Sequence, residues 1–285
     1  MGGEPVQDLK SGEALALRLA VVFPGQGTAG GEISGEVRHA VRGVTKNGEL
    51  PYQLSVFAGS VDTFHRLEEK GVAPDVVAGH SLGEYAAAYA AGSLRLEDGV
   101  WLVAERDRLM TEASRQNSGG MTAIIGVGAR EILSVVEARD GAVVAANFNT
   151  PRQTVISGEK EALAAVTERI GGKKRKLDVI GAFHSPLMQK AAAAMDALLA
   201  EVALEDPKIP MVSGMDGAVL ARADDVRLAL RDQMLSPVRW VAVVERLASL
   251  GVKEIVEAGG GTLVRMLRDF EDVEMRGRAA KEILA

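Results

Sequence analysis

Ser81 stands between two glycines in the run GHSLGEY (79–85), with a histidine immediately before it. A Gly-x-Ser-x-Gly pattern suits acyl chemistry when the serine occupies a tight turn between a strand and a helix. Bulk on either flank of such a turn would clash. The hydroxyl then faces a helix N-terminus, where backbone N–H groups can hold an oxyanion. The alternative is a serine that caps the following helix. A nucleophilic serine also needs a base, and the chain holds four histidines. His80 adjoins Ser81, and neighbouring side chains at a strand end point apart. His39 lies in a glycine-rich stretch without assigned structure, and His65 in a charged helix end, VDTFHRLEEK. His184, in GAFHSPLM (181–188), falls where a strand gives way to a helix, a place where sites on open sheets gather. A hydrogen-bonded loop histidine is its alternative, and the pairing with an elbow serine favours the base. In α/β-hydrolases the order is serine, acid, then histidine near the chain end. Here about a hundred residues follow His184 with no further histidine, and no acid stands out between Ser81 and His184. The pattern is that of a Ser–His dyad whose imidazole is oriented by something other than a carboxylate.

The elements around these residues follow from patterning. LRLAVVF (17–23) is a continuous apolar run ending at Pro24-Gly25, as expected of a buried parallel strand. Residues 51–70 read as a helix closed by Gly71, DVVAG (75–79) as a strand, and LGEYAAAYAAG as an alanine-rich helix. Ser81 therefore sits on a strand–turn–helix. A second helix covers roughly 97–116. From residue 121 the order becomes strand (MTAIIGV), helix (REILSVVEAR), two strands (AVVAAN, QTVIS), helix (KEALAAVTERI) and strand (KRKLDVI). That β-α-β-β-α-β succession is the split ferredoxin-like unit. The expected architecture is α/β: a larger hydrolase-like parallel-sheet core over residues 1–119 and 184–285, with a ferredoxin-like subdomain inserted over 120–183. Beyond it come a helix at roughly 187–203, a strand IPMVS (209–213), a helix DDVRLALRDQML and a strand VKEIVEA (252–258). Residues 27–49 carry no clear assignment.

Composition narrows the function. The formal net charge is −6, against the basic excess of duplex nucleic-acid binders, and 47% of residues are hydrophobic. There is no cysteine, which removes disulfides, thiolate metal sites and a cysteine nucleophile. The N-terminal stretch lacks the basic and apolar regions of a secretory signal, and no apolar run approaches the ~18 residues of a membrane span. A cytoplasmic enzyme is expected, monomeric, without metal or cofactor, and without nucleic-acid or membrane partners.

A set of runs in fixed order resembles the malonyl-CoA:acyl carrier protein transacylase family, which includes the acyltransferase domains of polyketide synthases. These are FPGQG (23–27), GHSLGEY, ERDRLM (105–110), MTAIIG (121–126), NFNTPRQTVISG (147–158), FHSPLM (183–188), QMLSPVRW (233–240) and EAGGGTLVRML (257–267). The resemblance implies an acyltransferase that moves a malonyl group from malonyl-CoA to the phosphopantetheine thiol of acyl carrier protein, by a ping-pong route through a malonyl-serine, for fatty acid synthesis. It assigns Ser81 as nucleophile and His184 as base, and gives the oxyanion the backbone N–H groups of Gln26 and Leu82. It places Arg106 on the substrate carboxylate and has Gln233 orient His184 through its main-chain carbonyl. It makes Phe183 a determinant of malonyl over methylmalonyl. From the residues alone Arg106 is a helix-surface arginine no better placed than Arg108, though a guanidinium suits a carboxylate by its two-donor fork.

The related readings are a trans-acting polyketide acyltransferase, a malonate decarboxylase accessory transferase, a serine hydrolase of acyl thioesters and a catalytically silent carrier-binding module. GGKKRK (171–176) could steer an acidic carrier or CoA phosphates, or could be a solvated strand end. Gly259–Gly261 is not followed by the Lys-Ser/Thr of a nucleotide P-loop. Between Gly27 and about Leu50 the chain is shorter and richer in glycine than the family's helical stretch, which bears on the pocket entrance and on carrier docking.

Overall fold

A computed structural model describes residues 18–27, 33–45, 49–137 and 142–285. The first strand, β1 (Leu19–Phe23), and the second, β2 (Val76–Gly79), are almost wholly buried and pair in parallel. Their unbroken apolar character follows from being covered on both faces. The Asp75 carboxylate accepts hydrogen bonds from the Arg18 and Leu19 N–H groups at 2.8 and 2.9 Å, which pins the start of β1 to that of β2. Pro24, which has no N–H to donate, follows the end of β1.

Between these strands lie α1 (Gly35–Ala40) and α2 (Tyr52–Glu69), and after them α3 (Gly83–Ala90) and α4 (Leu96–Gln116). Ser34 holds the first of these helices to the second: its N–H and hydroxyl both donate to Asp62 at 2.8 Å. Of the segment left unassigned by sequence, residues 28–32 and 46–48 lie outside the described residues, so its altered length is described only in part.

The next elements are β3 (Gly119–Ile125), α5 (Ala129–Val136), β4 (Val143–Thr150), β5 (Gln153–Glu159), α6 (Lys160–Arg169) and β6 (Lys173–Lys176). They form a separate antiparallel sheet in the order β4-β5-β3-β6. Strand alternation divides its side chains between two cores. Ile124 and Ile156 pack among the residues of α5 and α6, while Met121, Ala123 and Val155 join the main core. The last strand is shorter than the run KRKLDVI suggests. Beyond Lys176 the alternating Leu177 and Val179 pack against the main core, and Ile180 is 62% exposed. Leu177 N–H still donates to Met121 O of β3 at 3.0 Å, and beyond it the alternation reflects packing of an extended segment, not membership of the sheet.

The chain continues through α7 (Gln189–Glu201), β7 (Met211–Val212), β8 (Val219–Leu220), α8 (Ala223–Asp232), α9 (Trp240–Ser249), β9 (Glu254–Glu257), α10 (Thr262–Met266), β10 (Arg276–Ala279) and α11 (Lys281–Leu284). The main sheet runs β10-β9-β1-β2-β7-β8. All its pairings are parallel except β7 with β8. The pattern-based strand 209–213 is thus two residues long, and β8, α9, α10, β10 and α11 are additions to the sequence reading. The smaller sheet is tied to the main layer by backbone hydrogen bonds from Phe148 N–H to Val238 O (2.7 Å) and from Val238 N–H to Ala146 O (2.9 Å).

The glycine run 259–261 is organised from within. Glu257, fully buried at the end of β9, accepts from the N–H groups of Gly261 and Thr262 (2.9 and 3.0 Å) and of Leu263 and Val264 (2.7 and 3.1 Å). These are the unpaired donors at the start of α10. The loop is therefore folded around a carboxylate of its own chain. Glu257→Gln would turn an NH2 group toward two of those donors. The expected loss of stability is about 2–4 kcal/mol, read from urea unfolding at constant m. A change below ~0.5 kcal/mol, within the range of an ordinary surface substitution, would refute the capping role.

Candidate active site

The turn after β2 is steric in origin. Ser81 has φ +52°, and among the described residues the only other non-glycine with positive φ is His184, at +55°. Left-handed backbone at a residue bearing a β-carbon is costly and persists only where the surroundings impose it. Here they do. A β-carbon on Gly79 would collide with the Gly83 carbonyl and the Glu84 N–H, and one on Gly83 with the Phe23 and Pro24 carbonyls. The turn is closed by Gly83 N–H to His80 O (3.0 Å) and Glu84 N–H to Ser81 O (2.9 Å). The N-cap of α3 is Leu82, and the Ser81 hydroxyl is engaged by His184 and Arg106. Its Oγ lies 2.8 Å from His184 Nε2.

His184 is positioned by the turn that follows it. Ser185 donates through its hydroxyl to Ala182 O (2.7 Å) and accepts from Leu187 N–H (3.3 Å), capping the short 3-10 turn Pro186–Met188. His184 Nδ1 is 2.8 Å from Gln233 O and 3.0 Å from Ser236 O. Both partners only accept, so Nδ1 carries the proton and Nε2 is left as an acceptor facing Ser81. Gln233 directly follows α8, among the carbonyls that a helix end leaves without an intrahelical donor. Burial above all, and then the Arg106 charge, push the His184 pKa down to about 4, against the two carbonyl hydrogen bonds that raise it. The neutral, proton-accepting form therefore prevails across the neutral range.

Arg106 and Arg108, alike in sequence, part company in three dimensions. Arg108 is exposed and pairs with Glu105 and Glu112 on its own helix at 2.7 and 3.4 Å. Arg106 is 1% exposed. Its Nη2 donates to Ser81 Oγ at 3.2 Å and to Gln233 Oε1 at 3.1 Å, and its Nη1 to Gln53 Oε1. The guanidinium carbon lies 5.8 Å from the centre of the Tyr85 ring. Among the described residues no carboxylate lies within ion-pairing distance of it, and its Nε has no hydrogen-bond partner.

Gln53 and Glu84 are partners that sequence reasoning did not single out. Glu84 is 1% exposed. It accepts from Gly214 N–H at 2.8 Å and from Gln233 Nε2 at 3.0 Å. Burial pushes its pKa up to about 8, opposed by the Gly214 hydrogen bond and the Arg106 charge. The glutamate of GHSLGEY was the available signal, since a charge in the first turn of an otherwise apolar helix needs partners.

A cavity of about 150 Å³ is lined by Ser81, His184, Gln26 and Phe183 among others. It shares Gln26, Leu177, Val179 and Phe183 with an outer cavity of about 720 Å³ that also touches Tyr52, Gln53, Asp107 and Arg175. Leu82 is the residue after the serine, and the turn bonds take up the N–H groups of Gly83 and Glu84 but not its own. Of the remaining histidines, His80 lines the inner cavity beside Ser81, while His65 and His39 stand apart. His80 bonds Asn149 Oδ1 at 2.9 Å, His65 bonds the Tyr89 hydroxyl at 2.6 Å, and His39 is exposed on α1. Among the described residues no cluster of acids and histidines could hold a metal, and no helix is long and apolar enough to cross a membrane.

Residues 49–259 match the acyl transferase domain family. The chain is 32% identical over 279 residues to a malonyl CoA-acyl carrier protein transacylase of Bacillus subtilis (strain 168), covering 87% of this chain and 88% of that one. Among solved structures, a malonyl CoA-acyl carrier protein transacylase from Coxiella burnetii aligns with a TM-score of 0.83 at 30% identity, over 96% of this chain and 98% of that one. A malonyl-transacylase solved in complex with a type II polyketide synthase acyl-carrier protein aligns with a TM-score of 0.82 at 29% identity, over 92% and 95%.

The lowered His184 pKa sets the pH dependence of serine reactivity. Its working form is the neutral imidazole, which is lost only as pH falls through the folded-state value of about 4. Labelling of Ser81 by an uncharged phosphonofluoridate is expected to stay level from about pH 8 to about pH 5.5 and to fall below that. An acid limb near the ordinary histidine value of about 6.5 would contradict this.

Proposed function

Because the chain belongs to the acyl transferase family that includes the malonyl CoA-acyl carrier protein transacylases, we propose that it carries malonyl groups from malonyl-CoA to the phosphopantetheine thiol of acyl carrier protein, for fatty acid synthesis. The observation that carries this reading is the buried Arg106 guanidinium, 3.2 Å from Ser81 Oγ and free of any carboxylate partner among the described residues. A malonyl thioester is an acyl group with a carboxylate two carbons from its reacting carbonyl, and a planar guanidinium beside the nucleophile can hold it by two parallel hydrogen bonds.

The steps follow from the protonation states. Ser81 gives its proton to His184 Nε2 as Oγ attacks the thioester carbonyl. The oxyanion is held by the N–H group of Leu82, at the start of α3 where donors are unpaired, and by that of Gln26, in the turn after β1. The His184 proton then passes to the departing CoA sulfur, leaving malonyl-Ser81. In the second half His184 takes the proton of the carrier's thiol, whose sulfur attacks the ester, and the proton returns to Ser81. The main-chain carbonyls of Gln233 and Ser236 hold the imidazole in one tautomer throughout. A carrier from polyketide synthesis is the second reading, favoured by the similarity to the transacylase solved with such a carrier. The exposed strand β6, KKRK, beside the outer cavity suits an acidic carrier or CoA phosphates.

In this reading the larger unit, residues 1–119 and 184–285, is hydrolase-like and supplies the chemistry, and 120–183 is a ferredoxin-like insertion walling the pocket. Phe183 lines both cavities next to His184. Its ring leaves little room for a branch at the α-carbon, so malonyl-CoA should be preferred to methylmalonyl-CoA by the ~10–200-fold that one methyl group allows. Equal specificity constants in competition would rule that role out.

The reading is tested by mass and by selectivity. Incubation with malonyl-CoA should add one malonyl group to the intact protein, located on Ser81. Arg106→Ala should lower the specificity constant for malonyl-CoA by about 10²-fold or more, as expected when a desolvated charge loses its partner. Turnover of acetyl-CoA, which has no carboxylate, should be spared. A malonyl-to-acetyl ratio unmoved by Arg106→Ala would refute the carboxylate site, and fast release of malonate to water without thiol transfer would make the protein a hydrolase.

A further inference from the structure

We propose that Glu84 is a positioning residue for malonyl selection: by anchoring the side-chain amide of Gln233 it keeps the amide oxygen on Arg106 and so keeps the guanidinium aimed at Ser81. This rests on the reading of Arg106 as the carboxylate site. The chain of contacts is continuous. Gly214 N–H donates to Glu84 Oε1 at 2.8 Å, and Gln233 Nε2 donates to Glu84 Oε2 at 3.0 Å. Gln233 Oε1 accepts from Arg106 Nη2 at 3.1 Å, and that same nitrogen donates to Ser81 Oγ at 3.2 Å.

The orientation of the Gln233 amide is decided by its two neighbours. Arg106 only donates, so the amide atom facing it must be oxygen. The atom facing Glu84 is then the NH2 group and needs an acceptor. Glu84 supplies one only while both its oxygens accept, because Oε1 is already committed to the fixed N–H of Gly214. A glutamine at this position cannot meet both demands. With its oxygen kept by Gly214, its NH2 would confront that of Gln233. The Gln233 amide would turn over and present NH2 to the guanidinium, and Arg106 would lose an acceptor. His184 would be unaffected, since Gln233 holds it through the main-chain carbonyl, fixed by the end of α8 and not by the amide.

The test compares wild type, Glu84→Gln, Glu84→Asp and Arg106→Ala at about pH 9.5, well above the value of about 8 to which burial raises Glu84, so that its carboxylate is ionised. Glu84→Gln is close to isosteric. Glu84→Asp keeps the charge but falls one methylene short of reaching both partners, and it carries the test should the glutamine variant fail to fold. Each Glu84 variant is expected to lower the ratio of malonyl-CoA to acetyl-CoA specificity constants about tenfold. The rate of Ser81 labelling by the uncharged phosphonofluoridate should stay within about twofold. A parallel loss of both substrates and of labelling would mean a merely structural role. A rise in the ratio would mean that Glu84 acts as a counter-charge to Arg106. Either result, or an unchanged ratio, overturns the proposal. If Arg106→Ala shifts the ratio and the Glu84 variants do not, this inference falls alone. If none of them shifts it, the carboxylate reading falls too.

Discussion

The arrangement depends on two absent β-carbons. Gly79 and Gly83 let the start of α3 approach the ends of β1 and β2 to within backbone contact. In that space Ser81 is forced into a left-handed conformation, at a cost of order 1–3 kcal/mol. The cost is offset by what surrounds it. Helix α3 is alanine-rich and almost wholly buried, lying between the sheet and the neighbouring helices α2 and α4. A bulkier helix could not come so near, and a looser one would let the serine relax. His184, the other strained residue, is held by its own capped turn. The two strained residues are the two whose side chains meet.

The base is oriented without a charge. Two carbonyls, from Gln233 and Ser236, take the place of the acid in a serine triad. They fix the tautomer as a carboxylate would, but they stabilise the imidazolium less, and Arg106 opposes it further. His184 is accordingly a weak base that is always available. A weak base suffices only if the serine is a better acid than usual. Arg106 Nη2 lies against Ser81 Oγ and favours negative charge there as the proton leaves. The same cation weakens the acceptor and strengthens the donor.

How much of this was legible in the sequence depends on whether the cause was local. The elbow was, because its glycines, the strand before it and the helix after it lie within a few residues. The succession of β-α-β-β-α-β elements was legible too, since strands covered on both faces read as short continuous apolar runs. The end of the last strand was not: Leu177 and Val179 alternate because they pack against the main core, and periodicity cannot name the packing partner. Helix α9 buries Trp240, Val243, Val244 and Leu247, a helical spacing that was present to be read. The choice of Arg106 over Arg108 was available in part: Arg106 lies three residues after Val103 and four before Met110, on the buried stripe of α4, and Arg108 lies off it. What Arg106 meets there is decided by the crossing of that helix over the elbow. Glu84 and Gln233 are 149 residues apart, so their bond is a product of topology alone.

Arg106 also links substrate to base. No carboxylate is bound to this buried guanidinium among the described residues, and its charge is among the main causes that lower the histidine. On the proposed reading, a malonyl carboxylate entering the pocket cancels that charge. The imidazole then becomes a stronger base at the moment its substrate is in place. An acyl group without a carboxylate leaves the cation unpaired and the base at its weakest. Selection by charge acts in holding the acyl group; in the proton transfer the gain at His184 is set against the loss of the cation's pull on the Ser81 proton. Water entering without a carboxylate would likewise meet the weaker base, but in the malonyl-serine state the carboxylate is still bound and the stronger base is present. Protection of that intermediate must therefore come from exclusion of water, for which the small inner cavity lined by Phe183 and Gln26 is suited, and not from the electrostatics that favour its formation.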